Sequence, residues 1–436
     1  MRRRLTGLGK QVHHHFVERT ARTRFVHWLM KPSSARVFSY IPPLPRWLTD
    51  TMGSEPPLSQ RSLAIPELPA ELLTAPGIPR DAAAEDAAFE SRPLQRWTQV
   101  HADATEFILH HSWFSRVINL PGKMRYARLV AKPARRVPPV DPPKVIDEAE
   151  LTRRLKDSAA RLGMSAIGIA PYNAKYFLGP NLGDGDGSRV IVCIQEQNWE
   201  ATQTIPSLRA ERAHNNTYER LITMADRLAD ELRELGYSAR PGDPDGRAMY
   251  IHFAIEAGLG QLGLNGQLLT PFAGSRCRIT IITTDAPLVL DTPVDYGVPT
   301  VCDRCQACVR RCPTGAITNR RELHRGVYKA KIKMDRCLPM VAQVSGCAIC
   351  MKVCPVQRYG LPTVIDHYRE TGKILGTGTD ELEGYIWPID GRYYGPGKKP
   401  RSAVSSEMLR PRDLVFNPRR ELPTGPTTED ITRTTY

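Results

Sequence analysis

No run of apolar residues in this 436-residue chain reaches the roughly 18 needed to cross a bilayer, so no membrane-spanning helix is expected. Acidic residues are in deficit: 46 Asp and Glu stand against 60 Lys and Arg, a net charge of +14. A basic balance can serve nucleic acid, a membrane surface or an acidic redox partner. The excess is partly local, because Glu18 is the one acid in the first forty residues. MRRRLTGLGK has the look of a twin-arginine export signal, but the apolar stretch that should follow is missing and QVHHHFVERTART stands in its place. Export is therefore not expected. The three adjacent histidines have no second ligand cluster nearby and read as a solvated run. The chain shows no internal repeat, no RNA-binding module and no fused flavin or reductase domain.

Spare cysteine is also scarce. Of ten cysteines, eight fall into two runs, and Cys193 and Cys277 sit alone in apolar stretches where a free thiol packs as a small hydrophobe. Lone thiols of this kind argue against a disulfide-built secreted protein and for a reducing, cytoplasmic compartment. The first run is CDRCQACVRRCPTGAI, a C-x₂-C-x₂-C-x₃-C-P spacing. The second is CLPMVAQVSGCAICMKVCP. In the two-cluster bacterial pattern, three close cysteines hold one [4Fe–4S] cluster and the fourth, before Pro, crosses to the other. The expected sets are Cys302, Cys305, Cys308 and Cys354 for one cluster, and Cys312, Cys337, Cys347 and Cys350 for its neighbour. Zinc, satisfied by four ligands in two pairs, fits the crossed spacing poorly, and a disulfide framework suits a small secreted chain.

Along the chain, residues 1–143 are rich in Pro and read as an extended arm wrapping the core. Its basic segment, with Phe16, Phe25 and Trp28 among the cations, is a candidate for peripheral contact with a membrane surface. Residues 144–299 alternate helical and strand patterns. EAELTRRLKDSAARLG reads as a helix stopped by Gly163. MSAIGIAP, RVIVCIQE and RCRITIITTD read as strands. YERLITMADRLADELRELGY reads as an amphipathic helix ended by Gly236, and HFAIEAGLGQLGLNGQLL as a helix running into a glycine-rich turn. The cluster module occupies 300–360. The segment 361–436 is expected to pack as loops and to end in disorder. AGLGQLGLNG contains a G-x-G-x-x-G, but it follows a helix and lacks the acidic residue about 20 positions on, so dinucleotide binding is not expected. Its glycines suit close approach of backbone to a bulky flat ligand.

Taken in order, YERLITMADRLADELRELGYSA, AIEAGLGQLGLNGQLLTPFAGSRCRITIITTDAPL, DTPVDYGV and the double cluster motif resemble the corrinoid-dependent reductive dehalogenases and, more distantly, epoxyqueuosine reductase. The resemblance covers about 145–360. It implies an α+β protein: a nitroreductase-like α/β core that binds cobalamin base-off, followed by a ferredoxin-like module with two [4Fe–4S] clusters. No D-x-H-x-x-G is present to place a histidine beneath cobalt. Gly258, Gly260, Gly263, Asn265, Gly266 and Gly274 are the implied corrinoid-binding residues. Leu264 stands where many relatives have a basic residue.

The resemblance makes Tyr218, at the start of its helix, the proton donor and Arg278 the basic residue near it. Alternation along the strand puts Arg276 on the same side, so Arg276 stays a rival. A guanidinium beside a phenol favours the ionised form, which makes a better donor near neutral pH. In ARPGDPDGRAMY, Asp243 and Asp245 fall where relatives carry Asn or a catalytic acid. The D-P-D-G run is strong turn chemistry, the preferred reading, with Asp245 kept as a candidate acid. The implied reaction is reductive removal of halide from a small organohalide, fed by an external donor such as ferredoxin, flavodoxin or a reductase. Reduction of another substrate, such as a tRNA base epoxide, and a non-catalytic electron-transfer or corrinoid-handling role are the alternatives. Nucleic acid is not the expected partner.

Overall fold

In a computed structural model the chain is described from residue 143 to 400, apart from 144, 178–186, 243–247, 325–326, 334–335, 338–339, 342–345 and 389. The basic arm with its histidine run, the candidates Asp243 and Asp245, and the segment after 400 lie outside the described residues. Among the described residues no helix is long and apolar enough to cross a membrane.

The core is built on a sheet of four antiparallel strands in the order β1 (Ala166–Pro171), β2 (Arg189–Glu196), β6 (Cys277–Thr284) and β3 (Ala239–Pro241). The β2 strand is interior and buried from Val190 to Glu196. That explains its unbroken apolar reading, since a strand covered on both faces has no polar side to alternate with. Period-two alternation splits its side chains between two cores. Ile191 and Cys193, with Ile282 of β6, meet α1 (Glu148–Arg161) and α3 (Leu208–Glu234) through Leu151, Leu155, Leu221 and Leu228. Val190, Val192 and Ile194, with Cys277 and Ile281, meet Phe253 and Ala254 of α4 (Tyr250–Glu256) on the opposite face. Cys193 and Cys277 are thus core residues, as their apolar surroundings implied.

The long helix differs from its expected start. Sequence periodicity begins it at Tyr218, but α3 begins ten residues earlier, where the Ser207 hydroxyl accepts from the Ala210 amide at 3.1 Å. Its first turns bury Ala210, Ala213, Asn216 and Thr217. Small and polar residues carry no hydrophobic periodicity, so this extension is silent in the sequence. Tyr218 is consequently a mid-helix residue. The expected stops hold: Gly163 and Gly236 both take left-handed backbone (φ +84° and +94°) directly after their helices.

The short hairpin of β4 (Gln261–Leu262) and β5 (Leu268–Leu269) carries the glycine-rich segment between α4 and β6. The cysteine module then runs through α2 (Trp199–Gln203) contacts into α5 (Val298–Cys305), α6 (Ala307–Arg311), the hairpin β7 (Ile317–His324) and β8 (Val327–Ile332), α7 (Ile349–Lys352) and α8 (Pro355–Tyr359). Residues 361–400 are not a set of loops. It forms α9 (Leu361–Thr371), α10 (Asp380–Glu383), β9 (Tyr385–Ile386) and β10 (Tyr393–Tyr394). Leu361, Val364, Ile365, Tyr385 and Trp387 share one core with Ile349, Val353 and Cys354 of the cysteine module. The sequence understated this because only a few large apolar residues, spaced among Gly and charged residues, carry it.

Trp387 is 2% exposed in that shared core. Trp387→Ala should cost about 3–5 kcal/mol, as large-to-small core substitutions do. Denaturant unfolding followed with iron retention is expected to show both falling together. Full retention at unchanged stability would mean the C-terminal segment is not part of the module's core.

Candidate functional site: two cysteine tetrads beside a tyrosine–arginine pair

The eight cysteines come together as the crossed spacing requires. Cys302, Cys305, Cys308 and Cys354 line one cavity, whose other wall includes Leu264, Asn265 and Leu269. Cys312 packs with Cys337, Cys350, Val309 and Ile332. Cys337, Cys347 and Cys350 each feel the charge of Cys312, and Cys354 feels those of Cys302 and Cys305. Cys308 also feels Cys350, which sets the two tetrads side by side. Among the described residues no group of three or more His, Cys, Asp or Glu side chains is close enough to share a single metal ion.

Burial pushes the thiols of Cys305, Cys337 and Cys347 up to about 12. A thiol so placed ionises only when a cation binds it, which is what cluster assembly supplies. Backbone amides are already aimed at the sulfurs. The Leu264 N–H donates to Cys302, Ala307 to Cys305, Val356 and Gln357 to Cys354, Ile349 to Cys347 and Met351 to Cys350. The Ala316 amide reaches Cys312 Sγ at 3.2 Å. Left-handed backbone at Gln306, Cys347 and Ala348 (φ 49°, 49° and 54°) turns the C-x₂-C loops so that these amides converge. The residues present therefore fit two clusters.

Leu264, the position without a basic residue, is 1% exposed and contributes its amide to the first tetrad. The first tetrad thus abuts the glycine-rich segment, while the second lies on its far side toward the C-terminal segment. The glycines themselves face the chain. A Cβ on Gly274 would come within 2.5 Å of the Gln357 amide nitrogen, and one on Gly260 within 2.5 Å of the Leu269 carbonyl. Gly258, Gly263 and Gly266 are likewise crowded by Thr292, Asn265 and Ile332. Close packing of the chain on itself accounts for the absence of a side chain at these positions. Asn265 turns inward too, with Oδ1 accepting from the Gln267 amide at 3.2 Å and Nδ2 3.4 Å from Ser275 Oγ. Gly274 is the seam between core and module: it lies against Gln357, three residues past Cys354.

Four residues beyond that seam is Arg278. Its Cζ lies 5.7 Å from the Tyr218 ring centroid. Its Nη2 donates to Gln197 Oε1 at 2.6 Å and its Nη1 to the Cys277 carbonyl at 2.6 Å. Gln197 is 1% exposed and is held in turn by Thr202 Oγ1, 3.0 Å from its Nε2. Arg276 takes a different path from the one alternation implied. It precedes β6, in the turn closed by its own amide onto the Ala273 carbonyl, and so escapes the strand's period. Its Nη1 pairs with Glu196 Oε2 at 3.2 Å, with both side chains almost fully buried. The structure brings Tyr218 and Arg278 together and places Arg276 in a separate buried ion pair.

Sequence reasoning missed three neighbours. His214 meets the Tyr218 ring edge-on at 5.0 Å between centroids, one helical turn earlier. Knowing where α3 begins would have revealed it, since residues four apart share a face. Gln197 lies just past the end of β2. Gln195, paired across the sheet with Arg278, is 2% exposed, and its Oε1 has no hydrogen-bond partner among the described residues. Nothing in the sequence marks either glutamine.

The comparisons agree with this geometry. Residues 301–358 match the 4Fe-4S dicluster domain family, so the module is a two-cluster domain. The chain is 33% identical over 211 residues to the tetrachloroethene reductive dehalogenase of Sulfurospirillum multivorans, covering 45% of this chain and 42% of that protein. It is 34% identical over 178 residues to the enzyme of the same name from Dehalobacter restrictus, covering 38% and 32%. A weaker similarity, 31% over 156 residues, joins it to the epoxyqueuosine reductase of Shewanella oneidensis. The matched part spans less than half the length of these curated relatives. In fold the chain resembles the catabolic reductive dehalogenase NpRdhA, with a TM-score of 0.57 at 20% identity over 73% of this chain and 51% of that one.

Two expectations follow from the geometry. Cys312→Ser should remove the cluster of the second tetrad and spare the first, so that anaerobically reconstituted protein falls from about eight iron atoms to about four. Loss confined to the cluster of Cys302, Cys305 and Cys308 would overturn the crossed assignment. Arg276→Leu should destabilise the fold by about 3–5 kcal/mol by removing the cation from a buried carboxylate, whereas Arg278→Leu should cost less, about 1–3 kcal/mol, by leaving the Gln197 oxygen unpaired. Equal destabilisation by the two variants would contradict the separate placements of these arginines.

Proposed function

We propose that the chain is a corrinoid- and iron–sulfur-dependent oxidoreductase that removes halide from a small organohalide: R–X, two electrons and a proton give R–H and X⁻. The observation that carries this reading is the Tyr218–Arg278 pair, with Arg278 four residues along the chain from Gly274, where the core packs on Gln357 of the cysteine module. A phenol held by a guanidinium is a proton source, and the adjoining tetrad is an electron source. The similarity to reductive dehalogenases supports the choice of substrate class.

When bound, cobalamin and the two clusters supply the reducing equivalents at the carbon–halogen bond. On the protein side, the buried Gln195 Oε1 on the Arg278 face is a polar atom that a ligand carrying amide or hydroxyl groups would satisfy, so a corrinoid with its ring of amides fits there. Tyr218 gives its hydroxyl proton to the carbon that loses halide. Arg278, fixed by Gln197 and the Cys277 carbonyl, stabilises the charge left on the phenolate or on the departing halide. The edge of His214 limits how the phenol ring can tilt. An external donor such as a ferredoxin or flavodoxin supplies the electrons in this reading.

Similarity to epoxyqueuosine reductase and the +14 charge favour one second reading, reduction of a modified tRNA base. It requires salt-dependent tRNA binding. The first reading is tested by Tyr218→Phe, which keeps the ring and loses only the hydroxyl. Removing a positioned general acid typically costs about 10²–10⁴ in rate. Halide release by the cobalamin-loaded protein is expected to fall by that order, with cobalamin and iron content unchanged. Parental turnover on a substrate the parent accepts would move the proton source elsewhere.

A further inference from the structure

The cationic and aromatic residues where the C-terminal segment covers the second tetrad have no part in the reading above. Arg311, immediately before Cys312, is 1% exposed. Its guanidinium ties the segment down, donating from Nε to the Glu383 carbonyl at 3.1 Å, from Nη2 to the Tyr394 carbonyl at 3.0 Å and from Nη1 to the Lys398 carbonyl at 2.5 Å. The same guanidinium lies 4.8 Å above the Tyr385 ring. Tyr385 is 3% exposed, and its hydroxyl is buried with no hydrogen-bond partner among the described residues. The phenol shares a core with the main chain around Cys347, which packs against that core.

A buried hydroxyl left unsatisfied costs about 1–3 kcal/mol, and native proteins rarely leave one so. Arg311, over the ring, offers no acceptor. Tyr394 and Trp387 present ring faces and edges at 6.3 and 6.4 Å. Cys347 packs against the same core, so a cluster bound there brings sulfur acceptors to it.

We infer that the Tyr385 hydroxyl donates a hydrogen bond to a sulfur of the cluster held by Cys312, Cys337, Cys347 and Cys350, making the C-terminal segment a setter of that cluster's reduction potential. The inference rests on the two-cluster reading of the module and is independent of the substrate. A donor to sulfur stabilises the reduced, more negative cluster and so raises its potential. Arg311 acts on the same bond by holding the ring and the segment in register.

The test is a redox titration of reconstituted protein followed by EPR, with iron counted first so that cluster loss is separated from cluster tuning. Tyr385→Phe keeps the ring and its packing. The equilibrium constant for reducing the second cluster is expected to fall about tenfold, a downward shift of about 59 mV for one electron, with the first cluster unmoved. Tyr394→Phe, whose hydroxyl donates to Asp390 at 2.6 Å, should shift neither cluster. Should Tyr385→Phe fail to hold iron, 3,5-difluorotyrosine placed at 385 keeps the hydroxyl as a stronger donor and should raise the potential of the second cluster. An unchanged potential in either variant, or an equal shift of both clusters, would overturn the inference.

Discussion

Burying a thiolate is unfavourable unless something cationic is bound to it, and burial pushes up seven of the eight tetrad thiols, those of Cys302, Cys305, Cys308, Cys337, Cys347, Cys350 and Cys354. Iron reverses that balance, and the architecture of the module follows from the need to make the reversal possible at two adjacent points. The C-x₂-C loops adopt left-handed backbone so that amides converge on sulfur. Cys354 and Cys312 cross between the tetrads, so neither half of the module is complete alone. The C-terminal helix and strands close the same apolar core.

The core and the module meet through specific contacts. Gly274 admits the Gln357 backbone where no side chain could fit. Trp199 Nε1 donates to the Arg358 carbonyl at 3.0 Å while the Arg358 guanidinium lies over its ring at 5.3 Å. Gln203 exchanges hydrogen bonds with both Gln357 and Arg358. These contacts fix α2 and the turn before β6 against the first tetrad. The strand that starts at that turn carries Arg278, and the helix packed on its face carries Tyr218. One seam therefore positions Arg278 and Tyr218 relative to the first tetrad.

Two arginines two residues apart illustrate how burial divides labour. Arg276 spends its charge on Glu196 in a site from which water is excluded, an arrangement whose value is to hold one geometry, since desolvation offsets much of its Coulomb attraction. Arg278 keeps one face over a half-buried tyrosine ring and is braced by the Gln197 amide oxygen and the Cys277 carbonyl.

Ligand spacing is local, and so the sequence by itself determined the two tetrads, including which cysteines cross, together with the strands β1, β2 and β6, the glycine stops after α1 and α3, and the core fate of Cys193 and Cys277. Each of these is encoded within a few residues, by periodicity, by C-x₂-C spacing or by the left-handed preference of glycine. Tertiary structure alone decided the rest. The first ten residues of α3 bury alanine and threonine, which leave no hydrophobic trace. The glycines of the hairpin are required by chain packed on chain, a fact invisible without the partner segment. The ordered C-terminal segment takes its stability from a core whose other half lies before residue 360. Arg278 was separated from Arg276 by where β6 begins, and that point is set by the turn at Gly274 pressing against Gln357, more than eighty residues away in sequence and in direct contact in space.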